Sequence, residues 1–600
     1  MRGAKTVQNV SLPKDLSGGA AGRFSLSIES ITLENGLIVR PPSNGVTVVV
    51  GGNNVGKSTL LKQVATLAAR ESGAGFEPTR WQLVNEIKFR STGSAADLCS
   101  WLADHMGVHF EHGVTWLGSQ GQQRVNVHEI RNHYANIENT GVVDRLSSSL
   151  ANVLTLYADP WQRAAAIQPL QLRDYTGDPA QGIMHRLEDS MEMLNEVRSI
   201  CREVFRLDLT LDTLARMIQL RVGKVAIDAP PADAITTEYR EAVAALAPLT
   251  EQGDGIKSLI ALILPLVTAK QPVVLIDEPE AFLHPPQASA LGRILGRLAK
   301  GKGVQVILAT HDKNLLMGLL ESEAEVSVVR LDRDLNGNSR AHQLAVEDVR
   351  DLWGDPLLRY TNALDSLFHR LTVVAEADQD CRFYSAALSE YEPQIDVPIP
   401  PSDVLFIPSY GKAAMHKLIK VLQAIHVPVV AIPDIDILND PSNISRLVAS
   451  FQRDWGPLER NYRVATQSFR QPHRVATLGD VVSAVNSVFA GREEEYFTGQ
   501  ARKDVLAQLR VQESPWAELK RYGESAFSGE AAVAARDLLA QLDDMGIVLV
   551  RVGELERFAP TLGVAKGAGW LNEALTAGAH KADLVRQHIK RCLAGLNSIA

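Results

Sequence analysis

Cysteine is scarce in this chain of 600 residues: Cys99, Cys201, Cys381 and Cys592 are the only four, and no two form a Cys-x-x-Cys pair. That spacing excludes an ordinary zinc finger and supplies no disulfide framework, so a reducing cytoplasm is the expected setting. Excess positive charge is missing too. The 61 Lys and Arg are outnumbered by 70 Asp and Glu, for a net charge of -9. A nucleic acid must therefore be met by a local patch and not by the whole surface. Long hydrophobic runs are also absent. The most apolar stretch, Leu259 to Val267, lies between Lys257 and Lys270 and contains Pro265. It is too short to span a bilayer and reads as a buried helix, so no membrane partner is expected. Residues 1–22 hold Gly, Ser and Lys with no apolar segment, and are expected as a flexible tail, not a signal peptide. Sustained heptads, internal repeats and low-complexity tracts are lacking, which leaves no basis for a long coiled-coil arm.

What is present is ordinary globular material. Hydrophobic residues make up 45% and charged residues 22%, which argues against wholesale disorder. The length suggests roughly three or four folding units. Val46–Val50, Val273–Ile276 and Val304–Ala309 are short, β-branched and continuously apolar, as strands covered on both faces are. Ser58–Ala69 reads as a helix after the first. Strands alternating with helices imply a mostly parallel, doubly wound α/β sheet. A second α/β series begins near Leu371, with strands Leu371–Ala375, Val404–Ile407 and Val427–Ile432 and helices Gln379–Leu388 and Lys412–Ile425 between them. Residues 440–545 turn helical and polar, and a last strand, Gly546–Val552, precedes a helical tail.

Gly51-Gly52-Asn53-Asn54-Val55-Gly56-Lys57-Ser58 matches GxxxxGK[ST] between a strand and a helix. Glycines let backbone N–H groups curl around phosphate oxygens, and the helix N-terminus adds positive potential. Gly51, Asn53, Asn54, Gly56 and Thr59 belong to that cradle. Lys57 is placed to reach the β- and γ-phosphates of ATP, and Ser58 to ligate Mg²⁺. Val273-Val274-Leu275-Ile276-Asp277-Glu278 delivers a second Mg²⁺ ligand, Asp277, and a carboxylate, Glu278, for the attacking water.

Farther along, Glu376 and Asp380 follow strand Leu371–Ala375, and Asp434-Ile435-Asp436 follows strand Val427–Ile432. Alternation puts Asp434 and Asp436 on one side of an extended chain. Carboxylates on neighbouring parallel strands suit one or two Mg²⁺ ions, with Mn²⁺ as a substitute, and such metals serve phosphodiester cleavage. Glu554, just past Gly546–Val552, is a further candidate metal ligand. Arg460, Arg463, Arg470 and His473 surround Tyr462 and Phe469, either to follow a nucleic-acid backbone or as a solvated helix face.

These residues carry a family resemblance. Gly253-Asp254-Gly255, in Thr250 to Ser258, resembles a degenerate signature motif of ATP-binding-cassette (ABC) proteins, in which a second subunit closes over the γ-phosphate; it also suits a plain turn. In Ala309-Thr310-His311-Asp312, His311 stands where that family places a γ-phosphate-contacting histidine. The run Asp277-Glu278-Pro279-Glu280-Ala281-Phe282-Leu283-His284-Pro285 looks like the soluble ATPases of DNA repair and phage defence. Glu376, Asp434 and Asp436 resemble the Toprim metal site, with Glu376-Ala377 replacing that family's Glu-Gly. Leu364-Asp365-Ser366-Leu367-Phe368 and Ser409-Tyr410-Gly411-Lys412 look like the overcoming-lysogenization-defect (OLD) nucleases, and Lys566 resembles the lysine those enzymes place near the scissile phosphate.

The resemblance covers nearly the whole chain. It implies an ABC-type P-loop ATPase with a helical insertion, followed by a Toprim-like α/β domain and a helical C-terminal region. The expected boundaries are 23–365 for the ATPase (helical lobe about 90–240), 366–440 for the Toprim-like core, 441–545 for a helical insertion and 546–600 for the last strand and tail. The implied function is an ATP-controlled, Mg²⁺-dependent nuclease of bacterial antiphage defence, similar to Gabija and PARIS ATPases. It would act as a homodimer or higher oligomer on DNA or tRNA, with a partner defence subunit possible. Two rivals stay open: an ATPase sensor or scaffold with an inactive Toprim half, and a DNA-repair ABC ATPase that holds DNA ends.

Overall fold

The computed structural model describes the chain except residues 1–11, 69–81, 107, 112–113, 120–122, 136, 138–140, 145, 174–179, 181, 232, 269–270, 334–337, 355–361, 391–398, 471–476, 493–495, 510–514, 563–566 and 595–600. It divides into two compact units, Met1–Pro356 and Leu357–Ala600.

In the first unit the continuous apolar runs become the strands of a six-stranded sheet. Strand β1, Val46–Val50, is buried at every position. Helix α1, Lys57–Ala68, follows the phosphate loop. Strand β2, Thr155–Ala158, is an edge. Helix α2, Asp254–Thr268, buries the apolar stretch Leu259–Leu264 despite Pro265. Then come β3, Val273–Asp277, helix α3, Pro285–Lys302, and β4, Gln305–Ala309. Helix α4, Lys313–Glu321, precedes the antiparallel pair β5, Val326–Arg333, and β6, Ser339–Leu344. The sheet order is β6-β5-β1-β4-β3-β2, with β1 to β5 mutually parallel where they pair. Covering helices on both faces leave no room for polar alternation, which is why these strands read as unbroken apolar runs. Gln305, fully buried at the start of β4, ties a second sheet to this one. Its side-chain oxygen accepts from Ile28 N at 2.7 Å, and its nitrogen donates to Ile28 O at 3.0 Å and Pro42 O at 3.1 Å.

Two expectations change here. The stretch expected as a helical lobe carries strands as well as helices: Val108–Glu111, Val114–Ser119 and Gln123–Asn126 form one antiparallel sheet, and Leu170–Gln171, Met217–Val222 and Leu209–Asp212 lie in another. Their apolar residues alternate with polar ones, a period-2 signal diluted by the short strands. The expected tail falls partly on residues 1–11, outside the described residues. Residues 12–22 are held: Leu16 is 3% exposed, Ala20 N donates to Asp97 Oδ1 at 2.8 Å, and Ser100 Oγ donates to Gly19 O at 2.9 Å.

The second unit is built on three parallel strands, β7 (Leu371–Ala375), β8 (Val404–Pro408) and β9 (Val429–Ile432), in the order β8-β7-β9. Helices α5, Asp378–Ser389, and α6, Lys412–Ala424, connect them. The core is mainly aliphatic around a group of aromatic rings, with the Phe383 and Trp570 centroids 5.7 Å apart. Gly546–Val552, expected as a strand, instead lies beside β9 through two isolated parallel bridges, Ala431 to Ile547 and Asp434 to Val550. Pro433 has no N–H to donate, so a regular ladder cannot continue past it; its carbonyl still accepts from Val550 N at 3.1 Å. The region expected as helical and polar is helical, but α7, Leu478–Phe489, is apolar and buries none of its residues, with Leu478 86% exposed.

Candidate functional site

Register brings the ATP-site residues together. Asp277 at the end of β3 pairs with Ala309 at the end of β4, and Ala309 pairs with Val49 of β1. The phosphate loop after β1, the Asp277–Glu278 turn after β3 and the Thr310–His311 turn after β4 therefore leave the sheet at one edge, where open α/β sheets bind ligands. Gly51 cannot be another residue: its φ is +148°, and a Cβ there would lie 2.3 Å from Leu331 O. Asn53 and Asn54 are exposed on the loop, Asn54 with φ +60°, and Gly56 turns at φ +105° into α1, which starts with Lys57, Ser58 and Thr59.

Lys57 Nζ donates to Gly51 O at 2.9 Å and to Gly52 O at 2.7 Å, closing the loop on itself. Burial lowers its pKa, while Glu278, Glu280 and Asp277 oppose that shift. Ser58 Oγ donates to Asp277 Oδ1 at 2.9 Å, so the two proposed Mg²⁺ ligands already touch. Burial pushes the Asp277 carboxyl up, and the Ser58 bond pulls it back. Hydroxyl and carboxylate oxygens at a helix N-terminus are a fitting donor set for Mg²⁺. Glu278 is left-handed, φ +45°, and its N–H donates to Ala309 O at 3.0 Å. His311 Nδ1 lies 3.7 Å from Glu278 Oε1 and 3.2 Å from Glu280 Oε1. Gly255 sits in the first turn of α2, where its Cβ position is 3.0 Å from Phe282 O; a Cβ on Gly253 would meet nothing within 4 Å among the described residues.

Two residues at this edge escaped the sequence. Arg163, 4% exposed, donates from Nη2 to Asp277 O and, at 3.0 Å, to Glu278 O. No motif marks it, because its partners are backbone carbonyls. Glu280 had a signal, the third carboxylate of Asp277-Glu278-Pro279-Glu280, and is also 4% exposed.

In the second unit, ligand oxygens of Glu376, Asp434 and Asp436 all lie within 4.8 Å of one another. Asp434 N donates to Glu376 Oε1 at 2.9 Å. Burial pushes both carboxyls up, Asp434 most, with the neighbouring carboxylates adding and Lys412 opposing. Gly411 N donates to Glu376 O at 3.1 Å, which brings Lys412 onto Asp436 and to 3.9 Å from Glu376 Oε1. Crowded, partly desolvated hard oxygens with one close ammonium fit a divalent Mg²⁺ or Mn²⁺, which would displace protons as it entered.

The remaining candidates are not part of that trio, though the Asp380 charge helps push the Glu376 and Asp434 carboxyls up. Asp380 Oδ2 accepts from Ala377 N at 2.9 Å, capping α5. Glu554 Oε2 is 3.3 Å from Lys520 Nζ, which also lies 4.0 Å from Asp436 Oδ2, so the sequence missed a lysine between the two acids. Lys566 and His473 lie outside the described residues. Tyr462 and Phe469, which the arginines were expected to surround, are buried: Tyr462 OH donates to Leu438 O at 2.8 Å, and Arg470 packs over the Tyr462 ring. Among the described residues no helix is long and apolar enough to cross a membrane.

A family model described as an AAA domain, putative AbiEii toxin, type IV toxin–antitoxin system, matches residues 132–318. An OLD nuclease of Thermus scotoductus is 23% identical over 444 residues, 66% of this chain and 79% of that protein. An uncharacterized protein of Methanocaldococcus jannaschii is 38% identical over 106 residues, 17% of this chain and 90% of its own length. Among solved structures, an Smc head bound to the winged-helix domain of ScpA covers 53% of this chain and 98% of its own at 14% identity and TM-score 0.33. The SMC head domain from Thermotoga maritima covers 54% and 99% at 15% identity and TM-score 0.27.

Proposed function

We propose that this chain, which carries an AAA-type ATPase domain and is related to an OLD nuclease, is an ATP-controlled, Mg²⁺-dependent nuclease with an ABC-type ATPase unit and a Toprim-like second unit. The observation that carries the reading is the convergence of Glu376, Asp434 and Asp436 at the ends of adjacent parallel strands. An antiphage role follows from the family resemblance.

In the first unit the phosphate loop and α1 bind the triphosphate, and Lys57 exchanges the carbonyls of Gly51 and Gly52 for phosphate oxygens. Ser58 and Asp277 would hold Mg²⁺, and Glu278, part-exposed on its left-handed turn, takes the proton of the attacking water. The Gly253–Gly255 loop completes the site of a second copy, so hydrolysis needs a homodimer or larger assembly.

In the second unit Glu376, Asp434 and Asp436 would hold Mg²⁺ or Mn²⁺, which would supply water activation and charge neutralisation for phosphodiester cleavage. Lys412 moves from Asp436 to a phosphate oxygen, and Lys520 keeps Glu554 beside the same edge. Asp380 orients α5. Lys566, by resemblance, adds a cation near the scissile phosphate. DNA and tRNA are the candidate substrates.

One observation favours a second reading. Lys412 already rests on Asp436, so the carboxylates are partly neutralised without a cation, as they would be in an inactive scaffold unit. Incubating the purified chain with single- and double-stranded DNA and with tRNA separates the two. Cleavage with Mg²⁺ or Mn²⁺ that EDTA abolishes is expected. No cleavage of any substrate, with or without ATP, makes the scaffold reading correct.

A further inference from the structure

Glu278 is the carboxylate the ATP-site motif calls for, yet Glu280 has more contacts at the same turn. Its Oε1 accepts the Thr310 hydroxyl at 2.7 Å and the His311 backbone N–H at 3.0 Å, and faces His311 Nδ1 at 3.2 Å. Its Oε2 has no hydrogen-bond partner among the described residues, although the residue is 4% exposed. A neutral amide would satisfy Thr310 and the His311 N–H equally well. Burying a carboxyl instead is costly to its charged form: burial pushes the Glu280 pKa up while Thr310 and His311 oppose that shift, so the choice of an acid calls for a reason beyond capping a turn.

The His311 ring supplies one. Its side chain is 52% exposed, and with Nδ1 turned to Glu280 its Nε2 lies on the far edge of the ring. An imidazole that donates to an anion through Nε2 while its Nδ1–H meets a carboxylate carries positive charge, which that carboxylate offsets. Arg163 supports the arrangement from behind. Its guanidinium is buried, is gripped by the carbonyls of Asp277 and Glu278, and feels Glu280 more than any other carboxylate.

We propose that Glu280 is a positioning residue for ATP hydrolysis: it holds His311 by Nδ1, presents Nε2 to the γ-phosphate, and links the ends of β3 and β4 so that water-side and phosphate-side groups are set together. This rests on reading His311 as the γ-phosphate contact. The chemical class involved is the terminal phosphate of a nucleoside triphosphate.

The test is a double-mutant cycle on the full chain, measuring steady-state ATP hydrolysis and melting temperature. Glu280→Gln keeps an acceptor for Thr310 and the His311 N–H, so its melting temperature and KM are expected to stay near wild type while kcat falls about tenfold or more. In a His311→Ala background, followed by single-turnover assays, adding Glu280→Gln is expected to change the rate less than twofold, because the ring it positions is gone. Wild-type kcat in Glu280→Gln would overturn the proposal. So would an equal loss in both backgrounds, which would make Glu280 act apart from His311, or a fall in melting temperature and ATP binding that accounts for the lost rate. His311→Ala at wild-type rate would instead refute the histidine reading, and the proposal with it.

Discussion

At Glu278 the backbone adopts φ +45°, a conformation that costs about 1 kcal/mol or more for a residue with a Cβ. The turn is held by its own N–H on Ala309 and by Arg163 on its carbonyl. A carboxylate fixed this way and 42% exposed is suited to polarise water, whereas Asp277, buried against Ser58, is suited to hold a cation. Glu278→Gln is therefore expected to bind ATP and hydrolyse it more than about tenfold more slowly, while Lys57→Ala loses binding or hydrolysis with the fold intact. Nucleotide-binding and phosphate-release assays on both variants check this, and wild-type turnover in either would move its role elsewhere. The sequence marked Lys57, Ser58, Asp277 and Glu278 because short motifs encode them. It could not mark Arg163, whose job is to grip carbonyls, or Lys520, which meets Asp436 and Glu554 only in three dimensions.

A second residue-scale effect concerns stability. His133 is 8% exposed, and burial lowers its pKa to about 4. A histidine depressed from about 6.5 binds its proton more readily in the unfolded chain. It therefore subtracts stability as pH falls from about 6.5 towards 4, with no effect above that window. Between pH 7 and pH 5 the loss is about 2 kcal/mol. His133→Phe is expected to lose that much less over the same range in denaturant unfolding of the first unit. Identical pH slopes for the two proteins would show that the imidazole is not the source.

Elements were most legible where their burial was complete. The strands β1, β3, β4 and β7 are apolar on both faces, so continuous Val, Ile and Leu runs marked them within a residue or so. Strands with one polar face hid in the stretch expected to be helical, and Pro433 turned an expected strand into two bridges. Helix α7 was missed as apolar because its neighbourhood is polar on average. The loop before α2 bears on assembly. A Cβ on Gly253 meets nothing within 4 Å among the described residues, so Gly253→Glu is expected to fold normally yet obstruct a second copy's γ-phosphate. Mixing it with Lys57→Ala is expected to restore about a quarter of wild-type ATP hydrolysis, since half the dimers would hold one intact composite site of two. No recovery, with each variant inactive alone and monomeric at all concentrations, would contradict the composite site.

At the scale of the whole molecule, the two proposed chemistries fall in separate compact units. The phosphate loop, Asp277, Glu278 and His311 lie in residues 1–356, and Glu376, Asp434 and Asp436 in residues 357–600. That the three acids of the second unit would meet was legible from their place after neighbouring parallel strands, but not from alternation: Asp434 caps a 3-10 helix, Ile435–Asn439, that contains Asp436. Their cations were not legible, because Lys412 reaches them through the Gly411–Glu376 backbone bond. The most direct measurement follows ATP hydrolysis and metal-dependent nucleic-acid cleavage side by side in wild type, Glu376→Ala and Asp434→Ala. Each substitution is expected to remove cleavage, with partial recovery in excess Mn²⁺, and to leave ATP turnover within about twofold, since both residues belong to the second compact unit. Cleavage that persists without Glu376 and Asp434 would place the metal site elsewhere and contradict the account.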